Sequence, residues 1–150
     1  MEIVEFEPAH ASAFRTLNEA WITRHFQLEE ADRIVLEDPL GQVVARGGRI
    51  FMVIDSGVAV GCVALKAMGD GGYEVAKMTV AESLRGAGLG RALLQRCIEA
   101  GAALGASRLY LETNATLAAA TALYRAMGFV DLPPTDTPYA RADVFMERRY

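Results

Sequence analysis

"YEVAKMTVAESLRGAGLGRALL", residues 73–94, decides the reading of this chain, because its character changes twice in a short span. "YEVAKMTVA" (73–81) is strand-like, "LRGAGLG" (84–90) packs three glycines and one arginine with no acid, and the sequence then turns helical. In "GRALLQRCIEAGAALGA" (90–106), with Leu89 just ahead of it, Leu89, Leu93, Cys97, Ala100 and Leu104 share one helical stripe. Glycines at that density cost backbone entropy, so a sequence keeps them where φ must be positive or something lies against bare backbone. A loop between a strand and a helix N-terminus gathers unpaired N–H groups and the positive end of the helix dipole, which together favour an anion such as phosphate. From Lys77 to Arg96 the chain carries four cations (Lys77, Arg85, Arg91, Arg96) against one acid, Glu82.

Upstream, "EIVEF" (2–6) alternates as a strand, and Pro8 opens a helix in which Phe14, Leu17 and Trp21 recur on one face. A shorter helical stretch, "LEEADRIVLED" (28–38), ends at Pro39, and "GQVVARGG" (41–48) leads into the β-rich "RIFMVID" (49–55). Turns at "DSG" (55–57) and "GDGG" (69–72) flank "VAVGCVAL" (58–65), an apolar run expected to be covered on both faces, with Gly61 as a bulge. Two hairpins in succession predict an antiparallel meander. Downstream, "SRLYLET" (107–113) completes a βαβ unit, followed by an alanine-rich helix at roughly 117–127 stopped by Gly128. "FVDL" (129–132), the loop "PPTDTPY" (133–139) and a last strand in "ADVFMERRY" (142–150) close the chain. The expectation is one α+β domain over 1–150, with a mixed, mostly antiparallel sheet of six or seven strands flanked by about four helices.

The bulk composition excludes several classes of function. A net charge of -4 argues against nucleic acid or a membrane surface as a general partner. The acidic opening "MEIVEF" has no basic segment followed by an apolar one, and no uncharged run approaches the roughly 20 residues of a membrane span, so a cytoplasmic protein is expected. Cys62 and Cys97 show no ligand spacing and read as small buried hydrophobes, and His10 and His25 form no metal motif. No metal is expected.

Two phosphate loops fail at specific positions. A P-loop needs Lys then Ser/Thr after its last glycine, where Gly90 is followed by Arg91 and Ala92. A dinucleotide fingerprint needs a glycine three past its second, where Arg91 stands three past Gly88. What remains is R-x-x-G-x-G: Arg85, Gly88, Gly90.

On this loop, on the strand and helix around it, on "ALYRAMGF" (122–129) and on the element order, the chain resembles the GNAT superfamily of N-acetyltransferases. The resemblance implies that Arg85, Gly86, Ala87, Gly88, Leu89, Gly90 and Arg91 cradle the pyrophosphate of acetyl-CoA, and that the backbone of Met78, Thr79 and Val80 pairs with the pantetheine arm. Val80 N–H would then polarise the thioester carbonyl. It implies that Tyr124 protonates the leaving thiolate, the alternative being a tyrosine packed on the sheet. Glu74 stands at the position of a general base; a water relay, or a glutamate that only holds an ion pair or a substrate, is the alternative. Some base is needed, because freeing a lysine-like amine of its proton at pH 7 costs roughly 4.6 kcal/mol. Leu117 stands where many members carry a cofactor-contacting asparagine; Asn114 could substitute, or could simply hold a turn.

In this family acceptor selection falls to the first helices and the loop before the last strand, here Trp21, His25, Phe26, Glu29, Glu30, Tyr139 and Arg141. Trp21 also reads as core, and the acids at 29, 30 and 32 either attract a cationic amine or form a solvated face. The function implied is acetyl transfer from acetyl-CoA to a primary amine of a small molecule or protein, by direct attack in a ternary complex, since no cysteine stands in either motif as an acyl carrier. The alternative is a non-catalytic acyl-CoA-binding module. Exposed edge strands would allow a homodimer.

Overall fold

In the computed structural model, which describes residues 1–150, seven strands form one sheet in the order β1-β2-β3-β4-β5-β7-β6. The strands are β1 (Glu2–Glu5), β2 (Arg49–Asp55), β3 (Val58–Ala67), β4 (Tyr73–Val80), β5 (Arg108–Thr113), β6 (Val130–Leu132) and β7 (Val144–Arg149). All neighbours are antiparallel except β4 and β5. That exception follows from the connection, since α4 (Leu89–Ala103) crosses between them as the sequence predicts. The other helices are α1 (Ala11–His25), α2 (Glu30–Glu37), α3 (Pro39–Gln42) and α5 (Ala118–Ala126).

The two faces of the sheet carry separate cores, sorted by strand alternation. Phe51, Val53, Val63 and Leu65 face α4 together with Leu93, Leu94 and Cys97, while Ile50, Met52, Cys62 and Ala64 face α1 and α2 with Phe14, Ile22 and Leu36. Residues 61–65 of β3 are buried without interruption, as an apolar strand covered on both faces requires. Leu93 has no exposed surface, so its replacement by alanine would cost about 2–5 kcal/mol. Cys62 and Cys97 are free, fully buried thiols, and burial pushes both up to about 12.

Three local expectations are corrected. Pro39 does not end the helical region but starts α3, a four-residue helix, with Asp38 capping Gly41 N–H at 3.0 Å; a 3-10 turn, Val44–Arg46, then fills the expected connection. On α1 the fully buried stripe is Phe14, Asn18 and Ile22, with Leu17 and Trp21 only partly buried beside it. Asn18 is accommodated because its amide donates to Phe14 O at 2.9 Å and to Cys62 Sγ at 3.4 Å. The β2–β3 irregularity falls beside Gly61 rather than on it: Gly61 pairs with Val53 and Ala59 with Ile54, leaving Val60 as the extra residue.

A second bulge shapes the site. On β3 and β4, Ala64 pairs with Ala76 and Cys62 with Thr79, so Lys77 and Met78 together oppose Val63. Lys77 has φ +55, in the left-handed region. β4 and β5 pair only at Tyr73–Leu109 and Glu74–Tyr110 and then part.

Candidate active site

Where β4 and β5 part, a cleft of about 530 Å³ opens, running from the glycine loop past the end of α5 to the C-terminal end of α1. At its loop end, Gly86 (φ +83) and Gly88 (φ +82) are left-handed, and a Cβ on either would meet nothing within 4 Å. Backbone conformation therefore demands glycine here, and the space beside the loop stays open. Gly88 is the N-cap of α4 and has no side-chain cap. No main-chain carbonyl accepts from the N–H groups of Gly86, Gly88, Leu89, Gly90 or Arg91, which leaves a cluster of donors at the positive end of a helix.

The sequence count of four cations overstates the charge at this loop. The Lys77 ammonium is committed to Asp32 on α2, and Arg96 lies over the Phe51 ring at 5.2 Å. Arg85 and Arg91 remain, both lining the cleft, while Glu82 is paired with Arg24 at 2.6 Å.

Along the middle of the cleft run Met78, Thr79 and Val80. Ala81 N–H donates to Val60 O at 2.7 Å, so Val80, opposite Gly61, holds a non-hydrogen-bonded ladder position. Its N–H faces away from β3, towards the gap. Tyr124, near the end of α5, packs on Phe129 with ring centroids 6.0 Å apart and lines the cleft. Its placement rests on the turn after α5, where Gly128 has φ +96 and Phe129 N–H donates to Tyr124 O at 3.0 Å. Burial, with Cys97 adding to it, pushes its hydroxyl up to about 12, so it carries its proton at neutral pH.

Glu74 sits at the last pair before the strands separate, facing the cleft. Burial raises its carboxyl above the ordinary range, Lys66 and Lys77 oppose that shift, and Glu112 reinforces it. Glu112 on β5, which sequence reasoning did not single out, also lines the cleft and accepts from the Tyr110 hydroxyl at 2.8 Å and from the Thr137 hydroxyl. Its signal was the period-two spacing of Tyr110 and Glu112 on the strand next to Glu74.

At the far end Trp21, Phe26, Tyr139 and Arg141 line the cleft together with Asn18. Trp21 is thus both core and wall: it packs on the α1-side cluster and faces the cleft. Four sequence-predicted site residues do not line it, namely Ala87, His25, Glu29 and Glu30. His25 stacks outside on Trp21 at 5.1 Å, and the Glu29 carboxylate is occupied by Ala140 N–H at 2.8 Å and by Arg141 at 3.2 Å. Leu117 and Asn114 both line the cleft, but the Asn114 side chain is spent on the loop, donating to Arg141 O at 2.7 Å and accepting from Thr116 N–H at 2.9 Å. It holds a turn.

The acids of α2 correct both sequence readings. Of the acids at 29, 30 and 32 only Glu30 is solvated; Asp32 is 0% exposed and forms the centre of an ion cluster. Asp32 accepts two hydrogen bonds from Arg141, both at 2.7 Å, one from Lys77 Nζ at 2.7 Å and one from Glu29 N–H at 2.9 Å. Burial works to raise its carboxyl, but the Arg141 hydrogen bonds and the Lys77 charge outweigh it and hold it down at about 2. Lys77 Nζ also donates to the Tyr139 hydroxyl at 3.0 Å.

Here a mixed sheet parts beside a bulge, and an open donor cluster stands at a helix N-terminus. The chain matches the acetyltransferase (GNAT) family over residues 8–129 and belongs to it. It is 41% identical over 103 residues to an IAA acetyltransferase of Azospirillum brasilense, covering 67% of each protein. Its fold matches that of a GNAT-family acetyltransferase from Staphylococcus aureus Mu50 with a TM-score of 0.89 at 19% identity, over 99% of this chain and 98% of the other. A Salmonella typhimurium protein solved with its cofactor acetyl-CoA matches with a TM-score of 0.78 at 25% identity, over 99% and 93% of the two chains. No helix is long and apolar enough to cross a membrane.

Proposed function

We propose that this enzyme transfers an acetyl group from acetyl-CoA to a primary amine, on a small molecule or a protein, by direct attack in a ternary complex. The observation that carries the reading is the continuity of one cleft from the open N–H groups of Gly86 and residues 88–91, past Val80, to Glu74 and Tyr124. Arg85, Arg91 and the α4 N-terminus bind the pyrophosphate, and Met78–Val80 pair with the pantetheine arm, whose thioester carbonyl accepts from Val80 N–H. The amine enters from the side of Trp21, Phe26 and Tyr139. Glu74, made more basic by burial, takes one proton from the ammonium directly or through water; as the C–N bond forms the C–S bond breaks, the CoA thiolate takes the Tyr124 proton, and the second proton on nitrogen returns to the tyrosinate. Neither buried cysteine is suited to carry the acetyl group, since both thiols are held protonated.

Thermal unfolding with and without acetyl-CoA tests the cofactor. At about a hundredfold over Kd the ligand adds roughly 2.7 kcal/mol, on the order of 5 to 10 °C for a domain this size. A shift of that order, absent with ATP and NAD, is the expected result; none at millimolar acetyl-CoA withdraws the reading.

A further inference from the structure

The bulge in β4 is made by a lysine, although its left-handed backbone is unfavourable for an L-residue and open to glycine. Ser56 is the other non-glycine residue with positive φ, and it sits in a two-residue hairpin turn where that conformation is ordinary. Something must therefore hold Lys77, and its side chain shows what does. The side chain is 5% exposed, and Nζ donates both to Asp32, on α2, and to Tyr139, in the loop between β6 and β7. Arg141, 17% exposed, ties the same loop to the same carboxylate. One buried acid thus joins the bulge to two walls of the far end of the cleft.

Resting on the acetyl-CoA reading above, we propose that Lys77 is a positioning residue: through Asp32 and Tyr139 it clamps the β4 bulge, so that the Val80 N–H beyond it meets the thioester carbonyl. The geometry supplies the link. Val80 lies two residues past the bulge, and the direction of its N–H depends on where the extra residue lies. The glycine loop is anchored separately on α4, so the clamp acts on the acetyl end of the cofactor and leaves the pyrophosphate end alone.

Three variants separate side chain from backbone. Lys77→Gly keeps, and eases, the left-handed conformation while removing the clamp; Lys77→Met keeps the buried stem without the charge, leaving Asp32 with Arg141; Lys77→Arg restores a cation. Calorimetric Kd values for CoA and for acetyl-CoA provide the readout. In Lys77→Gly and Lys77→Met the Kd for CoA should stay within about twofold while that for acetyl-CoA weakens by about fivefold or more, and Lys77→Arg should recover most of the loss. A purely structural lysine would lower Tm but move both Kd values together, and that outcome, or an unchanged acetyl-CoA Kd in Lys77→Gly, overturns the proposal. Failure of the parent protein to bind CoA at all would instead remove the cofactor reading on which it rests.

Discussion

The two ends of the cleft are built by opposite means. At the glycine loop the working groups are main-chain N–H donors, supplied by Gly86 and residues 88–91 and aimed by left-handed glycines and a helix N-terminus. At the far end they are side chains, Asp32, Lys77, Tyr139 and Arg141, brought together from α2, β4 and a loop across as many as 109 residues. One end should therefore be sensitive to what a substitution does to the backbone and the other to what it does to charge. Binding a phosphate needs dipoles that any sequence can supply once its glycines are in place, whereas a wall that faces a variable acceptor needs particular side chains.

The contrast can be broken most forcefully at Asp32. Asp32→Asn leaves Lys77 buried without a counter-charge and Arg141 with Glu29 alone, which should cost about 3–5 kcal/mol and lower Tm by on the order of 10 °C. A fall of under about 2 °C in a calorimetric scan would mean that the cluster is solvated and the far end is not held by charge. Next comes Tyr124→Phe, which should leave Tm nearly unchanged and reduce kcat about a hundredfold. With it, Glu74→Gln should strip the acidic limb from the pH dependence of kcat/KM, and a limb that persists would take the base role from Glu74. A smaller effect is expected from acid. The Asp32 carboxyl lies at about 2 in the folded protein against 3.8 unfolded, so its contribution of about 2 kcal/mol is present above pH 4 and is lost as pH falls from 4 to 2. Urea titrations across that range should show the loss in the parent chain and a flatter profile in Asp32→Asn. The smallest change sharpens the contrast from the other end: Gly88→Ala, at φ +82, should cost about 1 kcal/mol and weaken CoA and acetyl-CoA alike. Weakening of acetyl-CoA alone would contradict the division of labour.

What could be read from the sequence follows the same division. The meander, the βαβ crossover and the glycine loop were legible because each is written in adjacent residues: turn glycines, a period of two giving way to a helical one, a run of open N–H donors. Leu93 and Cys97 fall on the stripe expected of them. The far end was not legible, because Asp32 and Arg141 look like surface charges until the fold buries one against the other. The pattern at Glu29 and Asp32 does spell a capping box, and the structure contains it, yet a cap says nothing about burial. Lys77 was counted with the loop because it is near it along the chain, while strand alternation and the bulge turn it towards the opposite face. Asn18 escaped notice because an asparagine reads as solvent-facing until the fold buries it, with Phe14 O and Cys62 Sγ as its partners.

The burial of Cys62 and Cys97 has a practical side. With no exposed surface and their thiols held protonated, neither should react with a disulfide-exchange reagent while the protein is folded. The CoA thiol released by each turnover can then be counted colorimetrically against a silent protein background. A sample that reacts with two equivalents before any substrate is added has unfolded, so the same reagent that times the reaction also certifies the enzyme.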